Sequence, residues 1–202
     1  MFHPSPVDPS ATSFGSTSPP MTPGGPPFAP AAFGRVVPSM LPAPPSGSNF
    51  PYFRCQHNPE GSRLFLQPQV NITLVEKNYT KMCFTVGVRD VCPQPDSPCC
   101  SFSLHKLEFE ADPVCARSLV YSTVDGIRRI RFFQYRPYSS IKVTRIGKAF
   151  DQAAGTEVCL VLKPECSSLK ALGAFHDGTM KIAIASLTGT RPATCCPVFN
   201  AQ

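Results

Sequence analysis

Short apolar runs recur along the chain from residue 50 onward, and they predict an all-β domain. The runs are rich in Val, Ile, Phe and Thr and are broken by Pro, Gly and Asp at intervals typical of antiparallel sheets. The predicted strands cover residues 70–75, 82–88, 102–110, 118–124, 127–133, 140–146, 157–163 and 180–186. Alternation is clearest but still incomplete in 102–110 and 140–146, which suits strands with one face in a core and the other partly covered.

Turn and helix signals complete this prediction. Asp125-Gly126 is the strongest hairpin signal, because both central positions of a type I′ turn need a positive φ. The stretch 167–175 is predicted to be helical, with Ser167 or Ser168 as N-cap and Gly173 at its end. Because no strand–helix alternation is present, the sequence predicts an antiparallel β-sandwich with Greek-key connections.

The start of the chain has a different composition. Thirteen of the 24 prolines fall in residues 1–50, among Ser, Thr, Gly and Ala. Such a segment has too little apolar surface to offset its ordering entropy, and its prolines favour an extended polyproline II conformation. We therefore predict a disordered or polyproline II spacer over 1–49 and one domain over 50–202; a plain disordered tail is the alternative for the first segment.

Ten cysteines predict that this domain is stapled by disulfides. Reducing compartments rarely favour such a density, and the spacing lacks the recurrent C-x2-C pairs of zinc sites, so no metal is expected. The vicinal pairs Cys99-Cys100 and Cys195-Cys196 point their side chains apart if extended, so each pair is expected to bond two different neighbours. The spacing leaves the pairing open. The disulfide candidates are Cys55, Cys83, Cys92, Cys99, Cys100, Cys115, Cys159, Cys166, Cys195 and Cys196.

Two sequons bear on the compartment. Asn71-Ile72-Thr73 and Asn78-Tyr79-Thr80 are candidates for N-glycosylation if the chain enters the secretory pathway. Residues 1–20 contain no apolar region typical of a signal peptide. Either the chain is a mature product or the protein stays in the cell with reduced thiols, and the cysteine content favours an extracellular protein. No run approaches the 18 apolar residues of a membrane span, so no transmembrane segment is predicted.

Basic residues concentrate in 117–148, where eight Lys or Arg residues accompany one acid, Asp125. Arginine suits sulfate and carboxylate groups, and the interleaved aromatic rings could stack on sugars. In period 2, Arg129 and Arg131 share a face, with Lys142 across from them if the next strand pairs in a hairpin. The candidates for binding a polyanion or glycan are Arg128, Arg129, Arg131, Arg136, Lys142 and Arg145. The alternative is a solvated edge strand whose charges oppose aggregation.

Catalytic signatures are absent from the sequence. There is no G-x-S-x-G and no H-E-x-x-H, and none of the four histidines adjoins a recognisable nucleophile. Glu108, Glu110 and Asp112 alternate along one strand and could mimic a glycosidase pair, but a solvated strand face is the preferred interpretation. We predict no enzymatic activity, no catalytic residues and no cofactor.

A series of cysteine and aromatic landmarks over residues 50–198 resembles the pherophorin domain. The landmarks are Phe50-Pro51-Tyr52 with Cys55, Cys83-Phe84-Thr85-Val86, Cys92 before Cys99-Cys100, Leu107-Glu108-Phe109, Cys115, Cys159-Leu160, Cys166 and Cys195-Cys196-Pro197-Val198. That family comprises hydroxyproline-rich glycoproteins of green algae, in which cysteine-rich globular domains are joined by proline-rich rods.

The resemblance implies a non-enzymatic structural or carbohydrate-interacting component of the algal extracellular matrix or cell wall. Its expected partners are anionic or sulfated matrix polysaccharides and other matrix glycoproteins, with no nucleic acid. The alternative is an intracellular, for example ciliary, protein-protein interaction module built on the same domain. A secreted hydrolase is a third interpretation.

Overall fold

The computed structural model describes residues 50–51, 54–129, 131–135, 138–186 and 194–202, with only the backbone described for Arg131. In this part of the chain, eleven strands form two antiparallel sheets. Sheet 1 contains β1 (Leu64–Leu66), β2 (Asn71–Val75), β3 (Tyr79–Val88), β5 (Leu119–Val124), β6 (Ile127–Arg129) and β9 (Glu157–Leu162). Sheet 2 contains β4 (Lys106–Glu110), β7 (Arg131–Gln134), β8 (Ser140–Val143), β10 (Met180–Ala185) and β11 (Val198–Ala201). The predicted all-β fold is confirmed.

The strand order shows how the chain moves between the sheets. Sheet 1 has the order β1-β3-β9-β5-β6, and β2 pairs with the first half of β3 on the edge that β1 shares. Sheet 2 has the order β11-β10-β4-β8-β7. Consecutive strands β3, β4 and β5 alternate between the sheets, as do β8, β9 and β10. Most neighbouring strands are therefore distant in the sequence, so folding requires long-range pairing.

The core lies between the two sheets and is built by alternate residues of the central strands. Phe84 of β3 and Leu160 of β9 are fully buried on the inner face of sheet 1. Phe109 of β4 and Ile182 of β10 are fully buried on the inner face of sheet 2. The rings of Phe84 and Phe109 lie 5.0 Å apart and join the sheets. Burying each such side chain contributes roughly 1.5–3 kcal/mol to folding.

The predicted strand over 127–133 is wrong in one respect. Its two halves are separate strands in different sheets, because β6 pairs with β5 and β7 pairs with β8. Alternation of polar and apolar residues reports which face of a strand is buried and contains no information on which sheet it joins. The short strands β1 and β11 were not predicted, since neither is long enough to show a period.

The turn between β5 and β6 has the predicted geometry. Asp125 has φ 49° and Gly126 has φ 78°, as a type I′ turn requires. The Asp125 carboxylate also accepts a hydrogen bond from the backbone N–H of Glu157 at 3.0 Å and lies 2.6 Å from the Lys148 ammonium. Through Asp125, the turn contacts the start of β9 in the same sheet and the loop that follows β8.

Replacing Gly126 with Ala is expected to lower the free energy of unfolding by about 1 kcal/mol, because an L-residue is strained at this φ. No atom lies within 4 Å of where a Cβ would stand, so crowding makes no contribution. Urea denaturation measures the change, and Gly126→Asn is the control, because Asn tolerates positive φ and should lose less. Equal stability of Gly126→Ala and the wild-type protein would contradict the strain argument.

The predicted helix is shorter than its sequence pattern. The helix α1 covers Leu169–Leu172, with Ser168 as the N-cap, whose Oγ accepts a hydrogen bond from the Ala171 N–H at 3.1 Å. Gly173 follows the helix, where a Cβ would lie 2.6 Å from the Thr179 carbonyl oxygen. None of the described helices has the length and apolar character needed to cross a membrane.

Candidate functional site

All ten cysteines are joined in five disulfides. The pairs are Cys55–Cys196, Cys83–Cys159, Cys92–Cys100, Cys99–Cys195 and Cys115–Cys166. Cys83–Cys159 joins directly opposed residues of β3 and β9, whereas Cys115–Cys166 joins two 3₁₀ turns that follow β4 and β9. The bridges are therefore distributed over the domain and constrain both its sheets and its loops.

The vicinal cysteines bond different partners. Cys99 bonds Cys195 and Cys100 bonds Cys92, while Cys196 bonds Cys55. Three segments that are far apart in the sequence are thereby tied together next to β11. Backbone hydrogen bonds support the same junction, since the Gln56 N–H donates to the Thr194 carbonyl at 2.9 Å and the Cys196 N–H donates to the Gln56 carbonyl at 3.1 Å.

Two groups of potential metal ligands occur among the described residues, and both contain a disulfide. One is Cys55, His57 and Cys196; the other is Cys83, Glu157 and Cys159. Metal ions in such sites bind thiolates, and a sulfur in a disulfide has no thiolate form. In the oxidised protein, neither group is therefore a zinc site.

The acidic strand β4 is buried, and the prediction of a solvated face is wrong. Glu108 has no exposed area and Glu110 is 3% exposed, because side chains of β8, of β10 and of the segment before β8 pack over this face of β4. Asp112 lies beyond the strand, where its side chain accepts a hydrogen bond from the Val114 N–H at 2.7 Å and contacts His176 Nε2 at 2.8 Å. A glycosidase carboxylate must reach its substrate, and Glu108 and Glu110 are enclosed.

Glu108 is the centre of a buried polar cluster. One carboxylate oxygen lies 2.7 Å from Lys106 Nζ. The other accepts hydrogen bonds from the hydroxyls of Tyr138 at 2.6 Å and Ser140 at 3.0 Å, and lies 3.3 Å from Lys142 Nζ. These contacts satisfy a charge that would otherwise be costly to bury.

The cluster sets the protonation of Glu108. Burial by itself raises the pKa of Glu108, but the charge and hydrogen bond of Lys106, the Tyr138 hydroxyl and Lys142 together lower that pKa below 4.5. Burial and the charge of Lys106 lower the pKa of Lys142, and the charge and hydrogen bond of Glu108 oppose this shift without cancelling it. Lys106, at the shorter distance, is therefore the principal counter-ion of an ionised Glu108.

The predicted basic residues that the structure describes are divided between the two sheets. Arg128 and Arg129 lie in β6 of sheet 1, whereas Arg131 begins β7 of sheet 2. Lys142 is opposite Phe132 rather than Arg131. The expectation that Arg129 and Arg131 share a strand face opposite Lys142 is wrong, because the chain changes sheet between β6 and β7.

The accessibility of these basic residues differs. Arg128 and Arg145 are exposed and Arg129 is half-buried. The side chain of Lys142 is only 12% exposed and donates a hydrogen bond to Gln134 at 2.6 Å besides its contact with Glu108. Arg136 lies outside the described residues.

Both sequon asparagines are exposed. Asn71 begins the edge strand β2, and Asn78, with φ 58°, lies in the 3₁₀ turn that joins β2 to β3. Four of the five residues of β2 are exposed. Glycans at these two positions would flank an edge strand that could otherwise pair with another chain.

Two members of the Glu108 cluster were not found from the sequence. Tyr138 lies just before β8, and Ser140 is the first residue of β8, where it pairs with Glu110 across the sheet. The period-2 pattern in 140–146 predicts a strand but does not indicate that this strand pairs with β4. Knowledge that β4 pairs with β8 would have placed Glu108 opposite Lys142 and thereby indicated the cluster.

Comparisons with known proteins point to one family. A family model described as Pherophorin matches residues 50–197. Perphorin-2 from Volvox carteri is 30% identical over 136 residues, which cover 59% of this chain and 27% of that protein. Among solved structures, a cohesin module of a Clostridium perfringens family 33 glycoside hydrolase is 13% identical and covers 66% of this chain and 94% of its own, with a TM-score of 0.29. That TM-score is too low to support an argument about this chain.

Proposed function

The chain belongs to the pherophorin family, and we propose that it is a non-enzymatic structural component of an algal extracellular matrix. The family consists of extracellular matrix glycoproteins of volvocine algae. Since the chain spans a minor part of the length of Perphorin-2, the proposal concerns what this domain itself does.

The observation that supports the proposal best is the oxidation of every cysteine. Five bridges in a domain of this size suit an oxidising compartment, and reduced thiols would leave the junction of Cys55, Cys99 and the terminal cysteines untied. We therefore propose an extracellular location, in the matrix or cell wall. Residues 50–202 would act as the rigid module and the proline-rich residues 1–49 as its spacer.

Contact with matrix polysaccharides is the second part of the proposal. Arg128 and Arg145 are exposed, and the chain has a net charge of +6. Sulfate and carboxylate groups of matrix polymers are the anions that guanidinium groups bind with paired hydrogen bonds. The mechanism is adhesion, and glycans on Asn71 and Asn78 would add further hydrated surface.

Mass spectrometry of peptides from the native protein, digested without reduction, tests the matrix role. We expect the five disulfides described above, glycans on Asn71 and Asn78, and recovery of the protein in the extracellular matrix fraction. Free thiols with bare asparagines in an intracellular fraction would contradict the proposal and favour an interaction module inside the cell.

Retention on charged gels tests the polysaccharide contact. The full chain should be retained on immobilised dextran sulfate and polygalacturonate and should elute from neutral dextran without delay. A sulfopropyl resin, which has charge but no sugar, is the control for simple ion exchange; polysaccharide binding predicts elution at higher salt from the two sugar gels. Elution from all charged matrices at one salt concentration would contradict it.

A further inference from the structure

A groove of about 560 Å³ lies on the outer face of sheet 1. Its lining includes Glu76, Lys77, Tyr79, Val120, Tyr121 and Arg128. In β3, Thr80 is on the same face as the core residue Met82, so its neighbour Tyr79 is on the other face. In β5, Ser122 is paired with the core residue Leu160, so its neighbour Tyr121 is also on the other face. Successive residues of a strand point to opposite faces, so both tyrosines lie on the face away from the core.

Arg128 is held in the groove by an aromatic ring. Its guanidinium carbon lies 4.1 Å from the centre of the Tyr121 ring. Among the described residues, Arg128 makes no ion pair or hydrogen bond, whereas Lys142 and Lys148 have acidic partners. This cation–π contact fixes the guanidinium group beside the ring, and because Arg128 is exposed, its N–H donors are accessible to a ligand. The side chain is thus partly pre-organised for an anion.

The charges and rings of the groove specify the ligand further. Lys77 and Arg128 outnumber the single acid Glu76, so the groove favours an anion. Tyr79 and Tyr121 are half-buried, so their rings offer fixed apolar surface beside the cation. A sugar ring with a carboxylate or sulfate substituent has both complementary parts: apolar C–H groups and an anion.

We propose that this groove is the binding site for an acidic sugar unit of a matrix polysaccharide. Arg128 holds the carboxylate or sulfate with paired hydrogen bonds, Lys77 adds positive charge, and Tyr79 contacts the face of the sugar ring. This inference rests on the proposed polysaccharide contact and assigns it to one groove, which neither Arg129 nor Arg145 lines.

The domain's own glycan is a second source of sugar. Asn78 stands between Lys77 and Tyr79, which both line the groove. A glycan attached there starts beside the site, but N-linked core sugars are uncharged and do not complement Arg128. We therefore commit to the matrix polymer and use Asn78→Gln to separate the two sources.

Calorimetric titration of the full chain with tetragalacturonate tests the site. Arg128→Gln is expected to weaken binding about tenfold, as the loss of a charged hydrogen-bonded contact does. Tyr79→Ala should also weaken binding, whereas Arg54→Gln, which changes an exposed arginine outside the groove, should bind as the wild-type chain does. The methyl ester of the same oligosaccharide keeps the rings and removes the charge, so its binding should be weaker and insensitive to Arg128→Gln.

Each other outcome overturns the proposal in a distinguishable way. If the wild-type chain is retained on polygalacturonate but Arg128→Gln and Arg54→Gln bind equally, the groove is wrong and the polysaccharide contact stands. If the wild-type chain binds no acidic polysaccharide, both the polysaccharide contact and the groove as its site are wrong. If only Asn78→Gln binds and the glycosylated chain does not, the groove is occupied by the domain's own glycan and is not a site for the matrix polymer.

Discussion

Replacing Glu108 with Ala is expected to lower the free energy of unfolding by about 3–5 kcal/mol. The change removes the one carboxylate on which Lys106, Lys142 and the hydroxyls of Tyr138 and Ser140 converge. Two partly buried ammonium groups then lose the negative charge of Glu108, and the two hydroxyls lose Glu108 as a hydrogen-bond acceptor. Removing one partner of a buried ion pair is more destabilising than replacing both partners with apolar residues, because the remaining charge stays buried without its counter-charge.

Guanidinium chloride denaturation measures this loss, with Glu165→Ala as the matched control. Glu165 is exposed in a 3₁₀ turn, so its replacement should change stability by no more than about 0.5 kcal/mol. Replacing Lys106 and Lys142 with Met in the Glu108→Ala background should restore part of the stability, since it removes two partly buried charges that Glu108 no longer balances. A loss below 1 kcal/mol for Glu108→Ala, or no recovery with Met, would show that the cluster does not act as a charged unit.

The same cluster predicts a dependence on pH. A carboxylate whose pKa is lowered by folding stabilises the folded state above its unfolded pKa, and that stability is lost as the pH falls through the folded pKa. For Glu108 the loss should begin near its ordinary value of 4.5 and continue below it. The stability difference between the wild-type protein and Glu108→Gln should therefore be constant above pH 4.5 and shrink under more acidic conditions; a constant difference throughout would contradict an ionised Glu108.

Strand positions were predictable wherever the sequence has a run of β-branched and aromatic residues. The strands β3, β9 and β10 follow runs of β-branched and aromatic residues, and the Asp125-Gly126 turn follows from its need for positive φ. Partners were not predictable, because alternation is the same whichever strand lies alongside. The run 127–133 shows this limit, since its alternation continues while the chain leaves β6 in sheet 1 and enters β7 in sheet 2.

The candidate site shows the same limit for charges. Glu108 and Glu110 have the pattern of a solvated strand face, yet both are buried because side chains of β8, of β10 and of the segment before β8 pack over that face. Likewise, Tyr79 and Arg128 are distant in the sequence and share a groove only through the order β3-β9-β5-β6. The number of cysteines predicted oxidation, but their pairing depended on the strand order.

Removing the Cys99–Cys195 bridge by a double replacement with Ala is expected to lower the free energy of unfolding by about 4 kcal/mol. A bridge stabilises largely by restricting the unfolded chain, and the restriction grows with the loop that it closes. This bridge spans 96 residues. The Cys55–Cys196 bridge already holds Cys195 near Cys55 in the unfolded chain, so the Cys99–Cys195 bridge closes a loop about half as long. This lowers the expected loss only slightly, because the loop entropy varies with the logarithm of the loop length.

The neighbouring bridge Cys92–Cys100 is the matched control, because it starts from the other cysteine of the same vicinal pair and spans only 8 residues. Its removal should cost about 2.5 kcal/mol. Denaturation of both double variants under non-reducing conditions, with the remaining four bridges verified by mass spectrometry, gives the comparison. If the long bridge costs more than the short one, these disulfides act mainly by tying distant segments together in the unfolded chain. Equal losses, or a larger loss for Cys92–Cys100, would mean that local native contacts decide their contribution, and the loop argument for this junction would fail.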